Sequence, residues 1–247
     1  IVDLAIMLAG HISVPIYPGQ DTTSARYIFE HSRTRLVFTG SFDQAANVAD
    51  ALLPGMETVA MLGCTIDADT SLEEIIEQYP PYEESPIPDP EDIFTLIYTS
   101  GTTGNPKGAL HAHRVLLGHL PGVEMSHDFF PQEGDRIWTP ADWAWIGGLL
   151  DVLMPALHHG ITVVSRRMPK FSATEAFDLI RRFGVRNAFL PPTALKIMRQ
   201  APAEAAQGLT LRSVASGGET LGAELIDWGR AAPAMSGAAP IHSVISA

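Results

Sequence analysis

Residues 93–99 read Ile93-Phe94-Thr95-Leu96-Ile97-Tyr98-Thr99 and run straight into Ser100-Gly101-Thr102-Thr103-Gly104-Asn105-Pro106-Lys107-Gly108. The first part is apolar, aromatic and β-branched, the composition of a buried strand. The second part concentrates hydroxyls (Ser100, Thr102, Thr103), glycines (Gly101, Gly104, Gly108) and the cation Lys107. Glycines let backbone N–H groups turn inward around an anion, hydroxyls add donors and lysine adds a point charge. A strand followed by such a loop describes a polyphosphate cradle. It is not a Walker A loop, which needs Gly directly before Lys and Ser or Thr after it, and Pro106 and Gly108 hold those places. The G-x-G-x-x-G dinucleotide fingerprint is also absent.

Outward from this stretch, short β-rich runs alternate with helical ones. On the N-terminal side, residues 12–17 (ISVPIY), 35–39 (RLVFT) and 57–62 read as strands. Residues 22–31, capped by Asp21, and residues 42–53 and 71–78 read as helices. Residues 79–92, YPPYEESPIPDPED, are too rich in proline and acid for helix or central strand and read as a surface connection. On the C-terminal side, strands are expected at 161–165, 186–190 and 211–215. Helices are expected at 114–120, 146–159, 173–183, 193–200 and 223–230. Repeated β-α alternation predicts an α/β fold of mainly parallel sheets layered with helices.

Composition narrows the function classes. The chain has 247 residues, 46% of them hydrophobic and 18% charged, with a formal net charge of −12. Such a surface repels nucleic-acid backbones and anionic lipids, so neither is expected as a partner, and an anionic small molecule needs a local positive site. The lone Cys64 makes no internal disulfide and fits a reducing cytoplasm. No stretch approaches the ~20 apolar residues of a spanning helix. The chain opens without Met or a basic leader region, which reads as a start inside a longer protein.

The string from Tyr98 to Gly108 resembles, position for position, the phosphate-binding signature of the adenylate-forming superfamily: acyl-CoA synthetases, peptide-synthetase adenylation domains and luciferases. The resemblance implies the large N-terminal domain of an AMP-forming acyl-CoA synthetase, here incomplete. It implies that ATP activates a carboxylic acid to an acyl-adenylate, which coenzyme A then takes up as thioester, with Mg²⁺ assisting. Thr99, Ser100, Gly101, Thr102, Thr103, Gly104 and Lys107 are then the phosphate-binding residues, and Lys107 also a catalytic one.

Three further segments match the family. Thr139-Pro140-Ala141-Asp142-Trp143-Ala144-Trp145-Ile146-Gly147-Gly148 resembles the wall of the acyl pocket in short- and medium-chain enzymes. Trp145 fits the aromatic position, with Gly147 and Gly148 expected to leave room beside the ring; the bland alternative is a core tryptophan opening a helix. Phe189-Leu190-Pro191-Pro192-Thr193 matches a strand, double proline and helix start, a structural element. Ser216-Gly217-Gly218-Glu219-Thr220 resembles the adenine-binding loop, which assigns Gly218, Glu219 and Thr220 to the nucleotide. No metal site of the protein's own is expected: His111 with His113 and His158 with His159 lack zinc spacing to Cys or Glu.

The resemblance spans residues 1–229 as a partial AMP-binding domain. Residues 230–247, ending AAPAMSGAAPIHSVISA, read as a non-matching tail. The family's Mg²⁺-holding Glu, ribose-binding Asp and C-terminal domain with its lysine are absent, so a truncated chain that does not complete thioester formation by itself is expected. Residues 10–40 lean toward long-chain enzymes and the region from Trp138 toward short- and medium-chain ones, which leaves the acid's length open. Alternatives are an adenylation domain that activates an amino or aryl acid for a carrier protein, and an inactive nucleotide-binding remnant.

Overall fold

The computed structural model describes residues 1–17, 19–40, 48–61, 63–64, 67–84, 87–99, 105–209, 211–231 and 242–243. They form two compact units, Ile1–Arg114 and Val115–Ala247.

In the first unit, α1 (Val2–Leu8) and α2 (Thr22–Ser32) precede β1 (Leu36–Thr39). Asp21 caps α2, its carboxylate accepting from the Ser24 N–H at 3.0 Å, which also holds that carboxyl below its ordinary pKa. Arg33 closes the helix in the left-handed region at φ 56°. Ala25 and Phe29 on the buried face of α2 pack against Val37 and Ala51. β1 pairs in parallel with β2 (Glu57–Ala60), and β2 with the two-residue β3 (Thr70–Ser71). A capping box at Ser71 and Glu74 then starts α3 (Leu72–Gln78).

The strand expected at 12–17 shrinks to one bridging residue: Ser13 N–H donates to the Phe94 carbonyl, and Leu96 N–H to the Ser13 carbonyl, both at 2.9 Å. Pro15 has no N–H to continue the ladder. The described parts of 79–92 contain neither helix nor strand, as their prolines require. Of the helix expected at 42–53, residues 42–47 lie outside the described residues, Val48 and Ala49 are helical, and residues 50–53 form a turn and irregular chain.

β4 (Ile93–Thr99) and β5 (Lys107–Ala112) form an antiparallel hairpin, the exception to the parallel pairing elsewhere. The connection of seven residues between them suits a hairpin, whereas a parallel return needs a dozen or more residues.

The second unit is a five-stranded parallel sheet. Its elements are α4 (Val115–Ser126), β6 (Arg136–Trp138), α5 (Ile146–Gly148), a π-helical turn (Leu149–Leu153), α6 (Met154–His158), β7 (Thr162–Val164), α7 (Ala173–Phe183), β8 (Asn187–Phe189), α8 (Pro192–Arg199), β9 (Ser213–Ser216), α9 (Ala223–Ala231) and β10 (His242–Ser243). The strand order is β10-β9-β8-β6-β7.

Helices cover both faces of this sheet. On one, Ala176, Phe177 and Ile180 of α7, Leu195 and Met198 of α8 and Leu225 of α9 bury Trp138, Ala188 and Val214. On the other, Val152 and Ala156 cover Ile137, Phe189 and Ala215. Residues one apart on each strand face opposite ways, so near-continuous apolar strands are what a two-sided sheet demands. Each large side chain taken fully from water here contributes roughly 1.5–3 kcal/mol.

Three expectations are corrected. α4 runs to Ser126 rather than ending before Pro121, because Leu120 and Val123 are buried and that packing offsets the helix-breaking cost of proline. The helix expected over 146–159 contains a π turn just before Pro155, the residue that cannot donate to the carbonyl four back. β6 had no predicted counterpart: three residues are too few to show a period. β10 lies within 230–247 and pairs in parallel with β9.

The N-terminal ends of β6, β8 and β9 meet in a buried polar network. Arg212 donates to both carboxylate oxygens of Asp135, at 3.1 and 2.7 Å. With its amide turned to suit its neighbours, Asn187 donates to Asp135 Oδ1 at 3.0 Å and accepts from Arg212 Nη2 at 3.0 Å and Ser213 Oγ at 2.8 Å. Ser213 in turn accepts from His127 Nδ1 at 2.7 Å. The Asp135 carboxylate is fully enclosed and Arg212 nearly so. Asp135→Ala leaves the buried guanidinium with only its contacts to Asp128, at 2.9 Å to the carbonyl and 3.5 Å to the carboxylate, and should cost about 3 kcal/mol, read as a fall in the urea midpoint.

Two histidine–carboxylate pairs tie α4 to the helical run after β6: His119 to Asp151 at 2.6 Å and His159 to Glu124 at 3.0 Å. The Asp151 carboxylate raises the His119 pKa above its ordinary value of 6.5, outweighing burial, which opposes it. A raised folded pKa means the pair's stabilisation is complete below the ordinary value and is lost as pH rises through the folded one. His119→Gln should therefore flatten the fall in melting temperature between about pH 6 and 8. Paired thermal melts across that range check this; an equal slope in both proteins would contradict it.

Candidate functional site

Two places gather the residues expected to act. In the first unit, the β4–β5 hairpin sets Thr99 directly opposite Lys107, and Tyr98 opposite Gly108. Thr99 and Lys107 are exposed at the mouth of the hairpin. Ser100, Gly101, Thr102, Thr103 and Gly104, which complete the expected cradle, lie outside the described residues. Lys107 thus opens a strand rather than ending a turn, and the ladder fixes its backbone against Thr99.

Gly108 packs against side chains of β4. A Cβ there would lie 2.8 Å from Leu96 Cδ1 and 3.2 Å from Tyr98 Cζ, so side chains of β4 occupy the space. Tyr98 is braced from α2 by a 2.7 Å hydrogen bond between its hydroxyl and His31 Nδ1. His31 stacks on Tyr27 at 5.5 Å between ring centroids. Burial, and to a lesser degree Tyr27, push the Tyr98 hydroxyl pKa up, so it stays a neutral hydrogen-bonding group. Nothing in the sequence marks His31, because its distance from Tyr98 along the chain hides the contact.

In the second unit, the other candidates collect at the C-terminal ends of the parallel strands. β7 lies to one side of β6, while β8, β9 and β10 lie to the other, so the winding reverses between β6 and β8. Crevices at such a reversal, beyond the carboxyl ends of strands, are where open α/β sheets take ligands. Trp145, on the segment after β6, and Phe189, the last residue of β8, stand there with ring centroids 6.0 Å apart. Gly217–Thr220 follow β9 at the same edge.

The turn into α5 fixes Trp145. Asp142 folds the chain back: its carboxylate accepts from Ala144 N–H at 2.8 Å and its carbonyl from Trp145 N–H at 3.1 Å. Leu149 N–H then donates to the Trp145 carbonyl at 3.1 Å. A Cβ on Gly148 would come within 2.5 Å of the Asp142 carbonyl oxygen, so this turn needs glycine.

The sequence reading has Gly147 and Gly148 leaving open room beside the indole, and they do not. A Cβ on Gly147 would lie 2.7 Å from Trp145 Cζ3 and 3.1 Å from Phe189 Cε1. The indole fills one gap and the Asp142 backbone the other. Trp145 remains half-buried and so is neither a plain core residue nor free. Gly218, at φ +90°, approaches the same indole: its Cβ would stand 2.9 Å from Cζ2. Gly218, Glu219 and Thr220 are exposed, while Ser216 and Gly217 are buried. Among the described residues, the Ser216 hydroxyl, buried at the end of β9, has no hydrogen-bond partner.

Among the described residues no group of three or more potential metal ligands converges, and no helix is long and apolar enough to cross a membrane.

Known proteins resemble both units. Acetyl-coenzyme A synthetase from Bacillus subtilis is 28% identical over 233 residues, covering 92% of this chain and 40% of that protein. Sulfoacetate–CoA ligase from Cupriavidus necator is 33% identical over 200 residues, covering 81% of this chain and 38% of that protein. Among solved structures, an acyl-CoA synthetase from Brucella canis superposes with a TM-score of 0.79 at 27% identity, over 96% of this chain and 43% of that one. The chain thus spans less than half the length of these relatives. The family model described as AMP-binding enzyme matches residues 1–242, past the Gly229 limit read from sequence, and the chain belongs to that family.

Proposed function

We propose that this chain supplies the phosphate loop, the adenine loop and part of the acid pocket of a longer acid–CoA ligase that forms an acyl-adenylate. The observation that carries the reading is the pairing of Thr99 and Lys107 across the mouth of a hairpin whose loop reads Ser-Gly-Thr-Thr-Gly-Asn-Pro. An exposed cation and hydroxyl on residues opposite one another in the ladder, joined by a sequence rich in glycine and hydroxyls, fit a polyphosphate. The exposed Gly218-Glu219-Thr220 edge fits the flat base.

The chemistry asked of these residues is electrostatic. A carboxylate oxygen of the acid bonds to the α-phosphorus of ATP as the bond to pyrophosphate breaks, and the coenzyme A thiol later displaces AMP from the acyl carbon. In the first step two anions approach and negative charge gathers on the leaving pyrophosphate. Lys107 and the loop donors offset that charge from fixed positions. Mg²⁺ would screen the phosphates further; the described residues bring no ligand set of their own to it. Trp145 limits the room for the acid's tail, which favours short acids.

Pyrophosphate release by the full-length protein, measured with a panel of short, medium, long and aromatic acids, tests the reading. ATP-dependent release with any of them supports it, and none with all of them refutes it. Lys107→Ala should lose one charge-assisted phosphate contact, about 1.5–3 kcal/mol, and kcat/KM for ATP should fall by roughly 10- to 150-fold. Trp145→Ala should move acid preference toward longer chains, read from the ratio of kcat/KM values across the panel. An unchanged profile would return Trp145 to a packing role.

A further inference from the structure

Trp145 touches more than the acid pocket. One edge of its six-membered ring, Cζ3, Cη2 and Cζ2, lies between two glycines from different loops. Cζ3 and Cη2 stand 2.7 and 3.0 Å from the Cβ position of Gly147, and Cζ2 and Cη2 stand 2.9 and 3.2 Å from that of Gly218. At such distances no side chain fits at either position without displacing the ring.

The two sides of this contact differ in how they are held. Trp145 is the fixed side: its N–H and carbonyl are both engaged, at 3.1 Å each, and Phe189 backs its ring. Gly218 is the shaped side. It is exposed and takes φ +90°, a conformation open to glycine and costly for other residues. The loop passes over the indole where only a bare backbone can pass.

We infer that Trp145 is a positioning residue for the nucleotide loop, so that the acid pocket and the loop at Gly218 are mechanically coupled. This rests on the reading of the site as an acid–CoA ligase's and adds a consequence to it. The loop's place over the adenine is set by the ring that also bounds the acid. An acid that presses on the indole presses on Gly218, and a substitution made to enlarge the acid pocket loosens the nucleotide loop as well. Close-packed contacts transmit such displacements because no void absorbs them.

A double-mutant cycle in the full-length ligase tests the coupling, with kcat and KM for ATP and for the acid read from pyrophosphate release. Trp145→Ala should raise the KM for ATP by at least about fivefold while kcat changes less, because the interaction lost is one of nucleotide binding. Gly218→Ala should be severe beside Trp145. In the Trp145→Ala background its penalty should be about tenfold smaller, a non-additivity of about 1.4 kcal/mol. Trp145→Phe withdraws the edge that touches Gly218 but keeps a ring against Phe189. It runs the same cycle should the alanine variant not fold, and melting curves establish which proteins are folded. A shifted acid profile with unchanged ATP KM, or strictly additive losses, overturns the coupling and leaves the pocket assignment standing. A folded Trp145→Ala enzyme unchanged toward both acid and ATP overturns the site assignment itself.

Discussion

β6 lies between β7 and β8, and most of the second unit follows from that placement. A parallel strand flanked on both sides needs both of its faces covered; β6 leads on to β7 on one side while β8 leads on to β9 on the other, so these two connections depart in opposite directions. The helical run after β6 therefore covers one face and α7, α8 and α9 the other. The connections part at the carboxyl ends of β6 and β8, the place where open α/β sheets take ligands. Trp145 and Phe189 meet there because one opens the helical run after β6 and the other ends β8.

The two edges of this sheet solve opposite problems. At the amino ends, Asp135, Asn187, Ser213 and Arg212 are enclosed, and their charges are tolerated because nearly every polar atom has a partner. Such a network contributes a unique arrangement of strands more than net stability, since both charges lose hydration. At the carboxyl ends, packing is by aromatic ring against bare backbone, and the loop residues beyond stay exposed. A closed polar edge holds the strands in register, while the opposite edge ends in exposed loop residues.

Much of this was legible in the sequence, and what was not has physical causes. α7 appears at its predicted bounds because its apolar period, Ser172 cap and Gly184 terminator all agree. β4 was equally plain, yet its antiparallel partner was not, because pairing direction is set by the length and path of a connection rather than by the strand's own residues. β6 is too short to carry a pattern, and Pro15 and Pro121 show propensity failing in opposite senses: one ends a ladder for want of a donor, the other is overruled by burial. In the site, the phosphate string and Trp145 were recognisable as motifs. His31 against Tyr98, Asp151 with His119, and the indole against Gly218 join residues far apart in the chain, and spacing carries no trace of them.

The glycines show where motif reading and geometry part. A glycine-rich string beside a binding site invites the view that each glycine makes room for ligand. Gly108 makes room for Leu96 and Tyr98, Gly147 for Trp145 and Phe189, and Gly148 for a carbonyl of its own turn. In each case the missing Cβ is replaced by another part of the protein, which tightens the site rather than enlarging it. The chain is acidic as a whole, with a formal net charge of −12, so its background field opposes an anion. Attraction must then come from a few groups held close to the ligand. On the proposed function, that part falls to Lys107, whose backbone the ladder fixes at the start of a strand opposite Thr99.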